Sequence, residues 1–157
     1  MERNDYLKML VEEMHSTTMA TIGADGHPQT RVIDMMLWDK KGVYFLTAKG
    51  KAFYAQLMEQ GYVAISATKD KKAVSLRGRI QNIHSEKLDE IFEKNPYMQK
   101  IYPGDTRAAL EVFRVYEAEG ECIDITRIPA VIDQHQCLHC GRCAETCPRG
   151  TIRKRGQ

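Results

Sequence analysis

The segment TTMATIGADGHPQTRVIDMMLWDKKGVYFLT, residues 17–47, decides the fold class. Thr17 to Ile22 is rich in Thr and apolar residues and reads as a strand. Ala24-Asp25-Gly26-His27-Pro28 carries turn chemistry, and its Asp-Gly pair favours a hairpin. Thr30 to Trp38 reads as a second strand, and Asp39-Lys40-Lys41-Gly42 leads into a third, Val43 to Thr47. Three successive antiparallel strands are expected.

Before this segment, Leu7, Leu10, Val11 and Met14 recur at helical spacing, so a helix is expected from an Asn4 cap to His15. After it, Lys51 to Glu59 reads as a short helix ended by Gly61. Tyr62 to Thr68 alternates, with Val63, Ile65 and Ala67 on one face. Past the charged turn Lys69-Asp70-Lys71-Lys72, Val74, Leu76, Gly78 and Ile80 alternate with Ser75, Arg77, Arg79 and Gln81. Ser85 is expected to cap a helix that stops at Asn95-Pro96. Tyr97 to Leu110 reads as irregular or weakly helical, and Glu111 to Ile125 as a long strand bulged near Gly120. Many short strands with a few helices imply a small antiparallel barrel with helical decoration.

With 157 residues, 43% hydrophobic and 28% charged, the chain has the balance of a soluble globular protein rather than a disordered one. A net charge of +2 argues against a dedicated nucleic-acid binder. No apolar run approaches the roughly 20 residues of a membrane helix. The start, MERNDYLKML, carries acidic residues and no export-signal core, so the expected location is the cytoplasm.

Four of the five cysteines fall between Cys137 and Cys147. Clustering of this kind points to metal or cluster ligation rather than to a disulfide scaffold. Cys137, Cys140, Cys143 and Cys147, the last followed by Pro148, have the C-x2-C-x2-C-x3-C-P spacing of bacterial ferredoxins. Thiolates two residues apart can wrap one corner of a 4Fe–4S cubane, and Gly141 lets the backbone approach its sulfurs. Zinc, with His135 or His139 among its ligands, is the alternative. In two-cluster ferredoxins the last Cys of such a run serves the other cluster, yet only one run exists here. Cys147 is therefore left to bind its own chain's cluster or that of a two-fold partner. Cys122 reads as a core thiol or as a completing ligand.

The body, residues 1–126, resembles the FMN-binding split barrels of the pyridoxamine 5'-phosphate oxidase type, particularly the short nitroimidazole-resistance branch. The resemblance rests on Gly26-His27-Pro28-Gln29-Thr30-Arg31-Val32 and Gly42-Val43-Tyr44-Phe45-Leu46-Thr47. It continues through Lys51, Gln56-Leu57, Val63-Ala64-Ile65 and Leu76-Arg77-Gly78-Arg79. It implies a mainly β, six-stranded antiparallel split barrel with flanking helices, a homodimer holding FMN at its interface, and residues 127–157 as linker and iron–sulfur tail. It further implies that Arg31, Val32, Ile33, Asp34, Met35 and Met36 run along the flavin, with Arg31 facing the phosphate or ribityl chain. Thr47 and Lys51, with Lys49 as an auxiliary, would hold the phosphate. Gln56 and Lys72, Ala73, Val74 and Ser75 would meet the ring or ribityl chain, some across the dimer. Met35 and Met36 also read as core fillers, and Lys49 as a surface charge.

Pyridoxamine-phosphate oxidases end in an Arg- and His-bearing substrate motif, whereas this chain ends in the cysteine run and Arg153-Lys154-Arg155, so the vitamin-synthesis reaction is not carried over. The expectation is an oxidoreductase coupling FMN to a 4Fe–4S cluster, with no side chain singled out as general acid or base. The alternative is a non-catalytic flavin- or haem-binding module with a redox- or metal-sensing tail.

Overall fold

Seven strands form one antiparallel sheet: β1 (Ser16–Ile22), β2 (Pro28–Asp34), β3 (Leu37–Asp39), β4 (Gly42–Ala48), β5 (Tyr62–Lys69), β6 (Lys72–Asn82) and β7 (Leu110–Asp124). Their order is β2-β1-β5-β6-β7-β4-β3. The computed structural model describes residues 3–124. Residues 1–124 make one unit and residues 125–157 a second, which lies outside the described residues.

The expected strand Thr30–Trp38 is two strands, and this changes the topology. Only Met35 and Met36 separate β2 from β3, yet these strands occupy opposite edges of the sheet. Two linking residues reach about 10 Å at most, so the sheet has to curl until its edges meet. The Met35 N–H donates to the His15 carbonyl at 2.7 Å, and the Met36 N–H to the Tyr44 carbonyl at 2.8 Å. Met35 enters one core cluster with Phe45 and Phe113, while Met36 enters another with Tyr44 and Phe92. The chain breaks because adjacent methionines feed different cores. β2 consequently pairs with β1, and β4 with β3 and β7, so the simple three-strand succession does not form. The same break makes seven strands of the expected six.

The alternation in β5 and β6 is borne out: Val63, Ile65, Ala67, Val74 and Ile80 are buried. Asp70 and Lys71 both have positive φ in the two-residue turn joining these strands. The bulge lies earlier in β7 than expected. Arg77 pairs with Glu119 and Arg79 with Tyr116, so Glu117 and Ala118 together oppose Gly78. A Cβ on Gly78 would meet the Ala118 Cβ at 2.9 Å, which explains glycine there. Gly120 sits in regular register with Leu76.

The first helix splits into α1 (Arg3–Lys8) and a π-helical segment, Met9–Met14, closed by the His15 N–H on the Leu10 carbonyl. The wider π turn brings Met9 into the core beside Leu10 and Met14. α2 (Ala52–Gln60) follows an N-cap at Lys51 and ends on left-handed Gly61, as the sequence implied. α3 (Leu88–Lys94) starts from Lys87 at φ 61°, not from Ser85, whose carbonyl instead accepts the Leu88 N–H. The stretch read as irregular or weakly helical holds α4 (Met98–Ile101) and a 3-10 turn, Gly104–Ala109. No helix among the described residues is long and apolar enough to cross a membrane.

Candidate functional site

Arg31 sits on the face of β2 that α2 covers. Its guanidinium lies 4.3 Å from the centre of the Phe53 ring. Arg31 Nη1 donates to Thr21 Oγ1 at 2.5 Å, and Nη2 to Gln56 Oε1 at 3.1 Å. Thr21 Oγ1 in turn donates to Gln56 Oε1 at 2.6 Å, and Gln56 Nε2 to Gln29 Oε1 at 2.9 Å. All these partners are neutral. Burial lowers the Arg31 pKa from its ordinary value, but a guanidinium stays charged at neutral pH. A half-buried cation with aromatic and amide neighbours suits an anionic ligand.

Thr47 lies near the end of β4, and Lys49 and Lys51 lie in the connection from β4 to α2. Thr47 is buried and opposite Glu111 in the strand register. Lys49 is drawn toward Glu111, 3.9 Å away. Lys51 is exposed and stands at the N-cap of α2, where no side chain caps the first-turn N–H groups. Those groups and the Lys51 ammonium are the donors a phosphate needs. The structure joins Arg31 to Gln56 of α2 and puts Lys51 at the N-cap of that helix, whereas Lys49 is tied to Glu111 and to the Ala109 carbonyl. None of the hydrogen bonds, ion pairs or groove linings described joins Arg31 to Lys51.

The other expected flavin contacts are scattered. Val32 is 71% exposed on the opposite face of β2. Ile33 packs against the core, and Met35 and Met36 are buried fillers. Asp34 accepts from Ser16 Oγ at 2.5 Å and from the Tyr97 hydroxyl at 3.1 Å. Burial, and then the Asp34 charge, push the Tyr97 pKa well up. Lys72 pairs with Glu13 at 2.6 Å. Val74 is buried and Ala73 half-buried, while Ser75 lines a groove of about 600 Å³ on the outer sheet face. Thr18, Ala20, Ala64 and Ser66 line the same groove, and small side chains make its floor shallow.

Thr21, Gln29 and Phe53 are the members of the Arg31 cluster that sequence reading missed. The signal was the hairpin register: β1 and β2 pair Thr21 with Gln29 and Met19 with Arg31, which puts all four on one face. The expected cysteine ligands, Cys137, Cys140, Cys143 and Cys147, lie outside the described residues, as does the Arg127–Gln136 link. Among the described residues, no three His, Cys, Asp or Glu side chains gather as metal ligands. Cys122 packs against the buried cluster of Met9, Leu10, Met14, Ala67 and Val74, its sulfur 3.9 Å from Met9 Sδ, as expected of a core thiol.

Residues 4–123 match the family profile of pyridoxamine 5'-phosphate oxidase. The chain belongs to that family. Residues 129–152, which contain all four clustered cysteines, match a 4Fe-4S binding domain. A pyridoxine/pyridoxamine 5'-phosphate oxidase of Paracidovorax citrulli is 28% identical over 93 residues, covering 58% of this chain and 41% of the relative. This family member thus spans about two fifths of that relative's length. Among solved structures, a NimC/NimA family protein of Clostridium acetobutylicum superposes with a TM-score of 0.67 at 20% identity, covering 78% of this chain and 88% of the other. HutZ, a heme storage protein of Vibrio cholerae, gives 0.54 at 15% identity, covering 79% and 95%. These structural likenesses show the split-barrel fold.

Proposed function

We propose that this family member is an oxidoreductase that binds FMN in its barrel, residues 1–126, and a 4Fe–4S cluster in its C-terminal segment, residues 127–157. The observation that carries the reading is the adjacency of two redox-type matches in one chain, residues 4–123 and 129–152. FMN supplies one- or two-electron exchange and the cluster one-electron exchange, so together they connect partners of unlike electron count. The protein's own share is binding and shielding. Arg31 and Lys51 supply positive charge for the flavin phosphate, and Thr47 adds a hydroxyl beside the α2 N-terminus. The thiolates of Cys137, Cys140, Cys143 and Cys147 hold the iron. The working unit is a cytoplasmic homodimer with flavin at its interface.

Anaerobic purification tests this directly, with a visible spectrum and quantification of flavin, iron and zinc. Substoichiometric flavin that cannot be raised by adding FMN overturns the flavin assignment. Stoichiometric zinc without iron overturns the cluster. The haem-storage name of HutZ, a fold neighbour, gives the non-catalytic module its one support. Sustained donor oxidation by the flavin- and iron-loaded protein decides against that alternative.

A further inference from the structure

We propose that Thr21 is a positioning residue that fixes the Arg31 guanidinium as a receptor for the phosphate end of the flavin. The proposal rests on the FMN reading above and assigns Gln56 to the same task, rather than to contact with the ring.

Thr17 and Thr21 both lie on the buried face of β1. Thr17 satisfies its hydroxyl in the simplest way, donating to the Ile33 carbonyl of the neighbouring strand at 2.9 Å. Thr21 does not use the backbone. Its oxygen accepts from Arg31 Nη1 and donates to Gln56 Oε1, and that same amide oxygen accepts from Arg31 Nη2. Arg31, Thr21 and Gln56 thus close a ring of three hydrogen bonds with both Nη atoms engaged. Phe53 supports the guanidinium plane, 4.3 Å away.

A flexible side chain is thereby held in one orientation by neutral acceptors, which leave its charge uncompensated. Two of the five guanidinium N–H groups are used in the ring. The rest meet no acceptor among the described residues. Arg31 Nε, which takes no part in the ring, is not a buried unsatisfied atom, so that donor reaches accessible space. An orientation fixed before binding reduces the ordering cost of holding a phosphate, which is the contribution expected of Thr21.

FMN and riboflavin differ only in the phosphate, so their dissociation constants separate this role from general damage. Both flavins are titrated by fluorescence quenching against the full-length wild type, Thr21→Val, Thr21→Ser, Arg31→Ala and the Thr21→Val/Arg31→Ala double variant. Thr21→Val is expected to weaken FMN about tenfold while riboflavin stays within about twofold, and Thr21→Ser to restore wild-type binding. On the Arg31→Ala background, Thr21→Val should add nothing, because it acts through that guanidinium. Should Thr21→Val fail to fold, Gln56→Met at its half-exposed position reads the same relation and is expected to weaken FMN alone. Equal loss of both flavins, no loss, or additive loss in the double variant overturns the inference while leaving the FMN reading intact. A wild type that favours FMN no more than riboflavin also overturns it. A wild type that binds neither flavin overturns the FMN reading itself, and this assignment with it.

Discussion

The Tyr54 hydroxyl donates to Glu111 Oε2 at 2.5 Å, tying α2 to β7. Asn82 Nδ2 donates to the same oxygen at 2.6 Å, and His84 Nδ1 lies 3.3 Å from the other. These hydrogen bonds, led by that from Tyr54, hold the Glu111 carboxyl down at about 2. Because the folded value lies below the unfolded one, the charged carboxylate adds stability that is fully present above pH 4.5. That stability is lost as pH falls toward 2. Urea unfolding of wild type and Glu111→Gln between pH 6 and about pH 2 should show a gap that narrows with acid. A gap independent of pH would mean the carboxylate contributes only shape.

Gly42 stands where no side chain fits. Its φ is 151°, and a Cβ there would run into the Val115 carbonyl oxygen of β7. Gly42→Ala is expected to cost more than about 3 kcal/mol, since the clash is with backbone between two buried residues, Gly42 and Val115. Thermal melting followed by circular dichroism measures it. By contrast, Gly26→Ala meets no atom within 4 Å and strains only its φ of 79°, so about 1 kcal/mol is expected.

Two lysines two residues apart have different surroundings. Lys49 lies 3.9 Å from the Glu111 carboxylate, whereas Lys51 has no carboxylate partner among the described residues. Lys51→Ala is therefore expected to weaken FMN roughly tenfold and Lys49→Ala less than about threefold, with riboflavin unmoved in both. Raising ionic strength should shrink the Lys51 effect. The reverse ranking would assign the phosphate to Lys49.

Iron content tests the cysteine run one ligand at a time. Cys140→Ala should abolish the visible absorption of a 4Fe–4S cluster and most of the bound iron. Cys147→Ser is the informative variant: if its thiolate serves a partner's cluster, iron and spectrum both decline, and if they are unchanged Cys147 is not a ligand. Cys122→Ser, at a core position, should leave the iron in place and lower the melting temperature.

Period-2 alternation was enough to place β5 and β6, because each strand buries one face and exposes the other. It failed over residues 30–38, where Met35 and Met36 look like strand interior but feed separate cores across the curl. Local composition cannot carry that information, since the two cores are assembled from residues far apart in the chain. α3 likewise starts from Lys87 in a left-handed conformation, where capping propensity points to Ser85 as the cap, and Lys87 contacts Asp39 and Glu90, each at 3.2 Å. Arg31 was legible as a ligand candidate from its neighbours in sequence. Its partner Thr21 was within reach of the hairpin register, whereas Phe53 was not, because it comes from α2 and carries no motif of its own.

The two edges of the sheet are fastened through the main-chain groups of Met35 and Met36, whose N–H groups donate to carbonyls while the Met36 carbonyl accepts from Asn95 Nδ2. Substitutions that suit the two cores can therefore accumulate at these positions while the closure persists. Proline is the exception, since its ring removes the amide hydrogen that does the fastening, and a proline at either position would leave an acceptor stranded and let the rim spread.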